Sequence, residues 1–379
     1  MSVSGNTGSR ASTTAAALVL GAAALLAACK HSNNTITKGL WIANGTNVVE
    51  FVPSQLTGGV QDVAPHLMNG SGSFGAPQGV TFDSKGNLWV MDPQAMIAGK
   101  QTPALLEFSA AELSALAKTN SPDPVAIITS DSLAFPQQSV FDSAGNQWVT
   151  DHANNTVLVF TAAQLAMTGT NDLTPAATIS SESFNGPLGI VFDSSGNLWV
   201  ANNGGVTAAN GTMSPTGTSI VEFTKAQLMN VVPASGQNTP ALNPTITLSD
   251  DGNGSIQAPW ELQFDSAGNL WSSNSATPFS LVEFAKANLT ASGSPTPTIT
   301  ISPVADPTGS TIQSLNATNG LCFDNLGDVA ATNAVNAPAQ AAFYKAPLKT
   351  GTITPSTFFS GATTTLNAPA GCNWGPLIN

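Results

Sequence analysis

One stretch, FDSSGNLWVAN beginning at Phe192, returns along the chain and narrows what it can fold into more than any other feature. Copies begin at Phe82 (FDSKGNLWVMD), Phe141 (FDSAGNQWVTD), Phe264 (FDSAGNLWSSN) and, more worn, Phe323 (FDNLGDVAATN). The spacings are 59, 51, 72 and 59 residues, and a further 51 reaches Trp374, which takes the Phe place in an unfinished copy. A period of roughly 40–60 residues built from short strands marks a propeller blade rather than a helical solenoid.

Each unit contains four strand-like pieces rich in Val, Ile, Thr and aromatics, as a pleated, half-buried surface requires. The first ends at the repeated Phe. An Asp-Ser-Xaa-Gly-Asn turn follows, whose Asp can accept nearby amides and whose Gly can take positive φ. The second is the apolar-alternating NLWVAN type. The third is of the SIVEF type (219–223) and the fourth of the PTITL type (244–248). A second register runs alongside. Phe at 51, 108, 160, 223, 284 and 343 closes the third strand, and Leu follows five residues later at 56, 113, 165, 228, 289 and 348. The intervening AAEL- and KAQL-like pieces suit one short helical turn, with Phe and Leu as core.

The units number six. The N-terminal part starts at a second strand, GLWIAN (39–44), and the C-terminal part, PAGCNW (369–374), is a first strand with no successors. Pairing the two closes the ring and removes exposed edges. The expected fold is therefore all-β, a six-bladed β-propeller over residues 39–379.

Residues 1–28 read as a signal peptide: a polar start with Arg10, then an Ala/Leu-rich segment of about 14 residues, too short for a comfortable membrane span. It ends in Leu26-Ala27-Ala28-Cys29, which resembles the bacterial lipobox, with Cys29 as the lipidated (palmitate-bearing) residue. Residues 29–38 then form the lipidated Cys and a polar tether, holding the propeller near a membrane. Lys30 resembles an outer-membrane sorting residue, so the expected location is the cell envelope, on the periplasmic or outer side, with the outer membrane favoured. One acyl chain binds only marginally, so stable anchoring needs more than one.

Charged residues make up only 8% of the chain and the formal net charge is −12. That excludes the clustered Lys and Arg of nucleic-acid binders and a basic patch for anionic lipid. Two cysteines remain, Cys322 and Cys372, in first strands of adjacent blades. They stand one and two residues before the Phe position, hence on opposite faces of their strands, and are expected as buried thiols.

In a propeller the loops joining strands four to one and two to three share one face, here called the top. The uniform Asp turns and helical turns fall on the bottom. Irregular pieces at 93–103, 203–217, 249–258 and 302–318 fall on the top, where binding loops on a rigid scaffold are expected. Two sets recur there. Second strands end in Asn44, Asp92, Asp151, Asn202, Asn274 and Asn333; first strands begin with Gly79, Gln138, Gly189, Glu261, Gly320 and Gly371. The Asp/Asn set can equally cap loop backbone. Gln138 and Glu261 break the Gly pattern, Trp260 stands beside Glu261, and His152 follows Asp151. All of these are candidate ligand-binding residues at the channel mouth. Should a divalent cation bind, Asp92, Asp151 and Glu261 are its candidate ligands; no cofactor is otherwise expected. No Ser-His-Asp set and no Cys/His zinc cluster can be assembled.

The unit PxGxxFDxxGNLWVxN…xIxxF resembles the NHL repeat over nearly the whole ring. Related six-bladed propellers include the gluconolactonase/senescence-marker group and the streptogramin lyase group. The first implies a metal held by a channel-mouth Glu, Asn and Asp, for which Glu261, Asn202 and Asp151 are conceivable counterparts. The second implies catalytic His and Glu on separate blades, with His152 as the one top-loop His. Three readings follow: an envelope-anchored, non-enzymatic propeller binding a glycan, peptide or protein on its top face; a divalent-metal hydrolase or lyase; and a structural surface-layer protein.

Overall fold

The computed structural model describes residues 1–2, 35–116, 121–204, 206–207, 212–213, 218–232, 237–304, 313–334 and 340–377. The chain divides into Met1–Ile36, nearly all of it outside the described residues, and Thr37–Asn379. Arg10, the segment at 15–28, Cys29 and Lys30 therefore lie outside the described residues.

The second unit is a six-bladed β-propeller. Blade 1 joins the two ends of the chain, in the order Pro369–Gly375, Gly39–Asn44, Asn47–Phe51, His66–Met68. Within it Trp41 lies opposite Asn373, and Trp374 lies opposite Leu40. Trp374 thus holds the place that Phe82 holds opposite Leu88 in blade 2. Blades 2 to 6 start at Gly79–Phe82, Pro136–Phe141, Pro187–Phe192, Pro259–Phe264 and Thr318–Phe323. Each runs outward through three further antiparallel strands.

The repeated Phe and Trp clasp neighbouring blades. The Trp of one second strand meets the first-strand Phe of the next blade edge-on, as in Trp41–Phe82, Trp148–Phe192 and Trp271–Phe323, with centroids 5.5 to 5.6 Å apart. All four of Trp41, Trp89, Trp199 and Trp271 are buried to within 2%. Blade 6 has Ala330 in the Trp place. There Phe343 pairs opposite Ala330, where blades 1, 2, 4 and 5 carry Glu and blade 3 carries Val159, and its ring packs on Trp374 at 6.0 Å. This corrects one expectation. Tyr344, not Phe343, occupies the Phe place opposite Val329, so the six-fold Phe–Leu register holds in five blades and slips by one in the sixth. The ring lost with the Trp is restored from the partner strand.

The Asp turns are built alike. Asp83 Oδ1 accepts from the Lys85 and Asn87 amides, and Gly86 takes φ of +82°, which a Cβ would strain. The Asn that ends the turn accepts from the first residue of the helical turn, as Asn87 Oδ1 does from Ala110 N and Asn197 Oδ1 from Lys225 N. Three of these turns, Ala110–Ser114, Ala162–Leu165 and Lys225–Leu228, are α-helical with complete capping boxes from Ser109/Glu112, Thr161/Gln164 and Thr224/Gln227.

Two features go beyond the sequence reading. Residues 93–103 are a β-hairpin, not an irregular loop: Leu88–Ile97 and Lys100–Phe108 run on past a bulge to a turn at Ala98-Gly99, both with positive φ. Such a turn matches the strand twist. In addition, the outer edges of five blades are covered by a parallel segment from the next. Gly169–Asp172 pairs with Ala126–Thr129 of blade 2, Gly351–Thr352 with blade 5 and Gly59–Gln61 with blade 6. Single bridges do the same for blades 3 and 4. Covered edges cannot template aggregation.

Cys322 and Cys372 are not thiols but a disulfide, with Cα atoms 5.9 Å apart. The expectation of two buried thiols is thereby corrected. Adjacent blades pack face to face, so a side chain leaving one side of blade 6 meets one leaving the other side of blade 1.

Candidate functional site

The bore of the ring is closed by two side chains. Gln138 Nε2 of blade 3 donates to Glu261 Oε2 of blade 5 at 3.0 Å, and both residues are buried. The Gly positions make this possible. A Cβ at Gly79 would stand 2.5 Å from Gln138 Oε1, and one at Gly371 would clash with its amide nitrogen. The break in the Gly pattern is therefore one design: glycines on neighbouring blades leave the space that two long polar side chains fill. Beneath this plug lies a chamber of about 220 Å³, lined by Glu261, Gln138, Thr81, Ser139, Gln263 and Asn373. Burial pushes the Glu261 carboxyl well above the ordinary carboxylate range.

Three hydroxyls that sequence reasoning passed over hold the neck. In blades 1, 3, 4, 5 and 6 the first strand bulges against the second. In blades 3, 5 and 6 the bulge is filled by Thr150, Ser273 and Thr332. Each accepts from the backbone N–H of its own first strand (Gln138, Glu261, Gly320) and donates to a carbonyl of the next blade (Leu188, Asn319, Ala370). The signal was present as a hydroxyl one residue before the recurring Asp or Asn.

The recurring Asp/Asn set is wholly buried and bonded to loop backbone. Asp92 accepts from the amides of Gly75, Ala76 and Gln94 at 2.8 to 3.0 Å. Burial raises its pKa, and those three amides pull the other way. Asp151 accepts from Ala134 and Phe135. Asn202, Asn274 and Asn333 accept from Asn185, Gln257 and Asn316, and each donates its amide back to the same loop. Asn44 accepts from Asn367 and donates to Thr365. These six side chains shape the loops between strands four and one. Asp92, Asp151 and Glu261 stand on blades 2, 3 and 5. Among the described residues no three His, Cys, Asp or Glu side chains gather as metal ligands.

What is left at the top rim is a set of unpaired polar atoms on blades 3 to 5. Gln137 Oε1, His152 Nδ1, Asn203 Oδ1 and Trp260 Nε1 are buried and make no hydrogen bond. All four residues lie where first strands begin or second strands end. Asn203 reaches from blade 4 to the Ala258 and Pro259 carbonyls, beside Trp260. The His152 ring packs against Gly186 of blade 4 and lies 6.3 Å from the Phe135 ring. Burial lowers its pKa, opposed by the Gly186 backbone and the Asp151 charge. Trp260 and His152 were singled out from sequence; Gln137 and Asn203 were not, since neither breaks a repeat pattern.

No protein-family model matches the sequence, and no curated protein matches it. Several solved structures are similar to the chain over most of its length. A chain of a nidogen/laminin complex superposes with TM-score 0.48 at 12% identity, over 89% of this chain and 98% of its own. A putative 6-phosphogluconolactonase from Bacteroides fragilis gives 0.46 at 11%, over 83% and 80%. A streptogramin B lyase gives 0.36 at 15%, over 72% and 69%. At such identities and scores the likeness carries no argument.

Proposed function

We propose that this chain is an exported, envelope-anchored propeller of NHL-like repeats that binds a glycan, peptide or protein on its top face, over blades 3 to 5. The observation that carries the reading is the group of buried, unpaired polar atoms on Gln137, His152, Asn203 and Trp260. A buried polar group without a partner costs about 1–3 kcal/mol, and a ligand supplying the missing donors and acceptors recovers it. An indole, two amides and a neutral imidazole suit hydroxyls and amides of an uncharged ligand rather than acid–base chemistry.

Binding of fluorescently labelled full-length chain to glycan and peptide arrays tests this. A ligand class should emerge whose affinity falls about tenfold or more in Trp260→Ala, or about 1.4 kcal/mol, with the melting temperature preserved. A ligand indifferent to Trp260 and Asn203, or silence across both arrays, defeats it. The hydrolase or lyase reading would use Asp92, Asp151 and Glu261, and needs two of them to leave the loops they organise. Calcium, magnesium, manganese and zinc thermal shifts, each repeated on Glu261→Gln, would reveal it as a rise lost in the variant.

The anchoring half rests on Leu26-Ala27-Ala28-Cys29 and is supported by the Cys322–Cys372 disulfide, since such bonds persist in oxidising compartments. Radiolabelled palmitate should enter the expressed protein and fail to enter Cys29→Ser.

A further inference from the structure

The bottom face carries four grooves between successive blades, from blades 2/3 to blades 5/6. Each is walled by Asp turns, a first-strand Phe and the segment after the third strand of the next blade, which is a helical turn in the first three and a bend at 346–347 in the last. In the 3/4 and 4/5 grooves that helical turn contributes Lys225 and Lys286. Their stems pass over the turn glycines of their own blades, within 3.2 Å of where a Cβ at Gly196 or Gly268 would stand. The chain thus lays a primary alkylammonium into these two acidic grooves itself.

The 5/6 groove departs in two ways. The residue in the lysine place is Ala346; blade 3 likewise carries Ala162 there, but Lys85 lines that 2/3 groove instead. The Ala346 amide donates to Asp328 Oδ1 at 2.7 Å, as Lys286 N donates to Asn269 Oδ1 at 3.0 Å, and the Ala346 Cβ is the atom nearest Gly327. No basic side chain lines the groove among the described residues, and at about 590 Å³ it is larger than the other three. The second departure concerns the turn Asp. In blades 3, 4 and 5 its Oδ2 accepts from the turn Asn and from the Trp indole, as Asp265 does from Asn269 and Trp271 at 2.9 and 3.2 Å. In blade 6 the Asn is Asp328 and the Trp is Ala330. Both donors are gone, and Asp324 Oδ2 is left buried without a partner, in a residue only 8% exposed. Asp265 and Glu283 stand in the same groove with Phe264, Trp271 and Leu348.

We infer that the groove between blades 5 and 6 binds a primary alkylammonium group on an aliphatic stem, with the Asp324 carboxylate as its acceptor. The two missing donors and the missing lysine fall in one place, and a single group of that chemistry replaces them. Phe264, Trp271 and Leu348 take the methylene stem, as side-chain stems lie along apolar surface elsewhere. The source is either a free diamine or a lysine side chain of a partner polypeptide. This site stands apart from the top face and does not depend on it.

Calorimetric titration of the full-length chain with 1,5-diaminopentane, and separately with Nα-acetyl-lysine N-methylamide, tests the inference. Saturable binding of either is expected; tighter binding of the diamine assigns a free amine, and tighter binding of the blocked lysine assigns a partner side chain. Asp324→Asn should weaken binding about tenfold or more, the scale of a hydrogen bond to a charged group. Ala346→Lys, which fills the groove from within, should abolish it and raise the melting temperature. No saturable binding, or equal binding in Asp324→Asn, overturns the inference; the isosteric Asn keeps the test open should Ala346→Lys fail to fold.

Discussion

Glu261 is a carboxyl placed where its ionised form is least welcome, with one amide donor and otherwise low-dielectric surroundings. Its folded pKa stands above the unfolded value near 4.5, so the folded state holds the proton longer. Stability is therefore full below about pH 4.5 as far as this group is concerned, and it declines as pH rises through the raised value. Glu261→Gln should remove that decline. Its melting temperature at pH 8 should exceed wild type by a few degrees, since about 1 kcal/mol moves a large domain by 2–4 °C or less; an unchanged pH–stability profile contradicts this. The neck hydroxyls give a second residue-scale test. Thr150→Val strands the Gln138 amide and the Leu188 carbonyl. A loss of about 1–3 kcal/mol in urea unfolding is expected, against almost none for an exposed Thr.

At the scale of strands and turns, the repeat was legible because its determinants are local. The Asp turn, its Gly and the short helical turns are chemistry within a few residues, and they formed as expected in three blades, with capping boxes the sequence reading did not name. What escaped depended on a neighbouring blade. Cys322 and Cys372 were judged on the parity of single strands, whereas the disulfide is set by two sheets facing each other. Gln138 and Glu261 were noticed as departures, yet their meeting across the bore follows from ring geometry and from the room left at Gly79 and Gly371. Phe343 was placed by spacing alone, and packing against Trp374 moved it by one. Packing also ranks the clasps. Trp199→Ala empties a fully buried site against Phe264. A loss of about 3–5 kcal/mol in denaturant unfolding is expected. The Ala330 site, already without a ring, should accept Ser or Gly with a far smaller loss.

Across the whole molecule, closure rests on Pro369–Gly375 and on the bond from Cys372 to Cys322, which are 50 residues apart in sequence. Replacing both cysteines by Ser should lower stability by about 2–4 kcal/mol, seen as a lower urea midpoint, and reductant should bring wild type to the same midpoint. Removing residues 369–379 takes the inner strand from blade 1 and bares a bonding edge of Gly39–Asn44. Such a chain should lose its single cooperative transition and elute as aggregates. The parallel cover segments make the same point for the outer rim: five of the six blades have their edge covered by a segment of the next, so blades are not independent lodgers.

The shared blade also orders events in time. The first β-strand among the described residues, Gly39–Asn44, waits for a mate, Pro369–Gly375, that is made some 330 residues later. Until that mate emerges, the sheet that seals the circle cannot form.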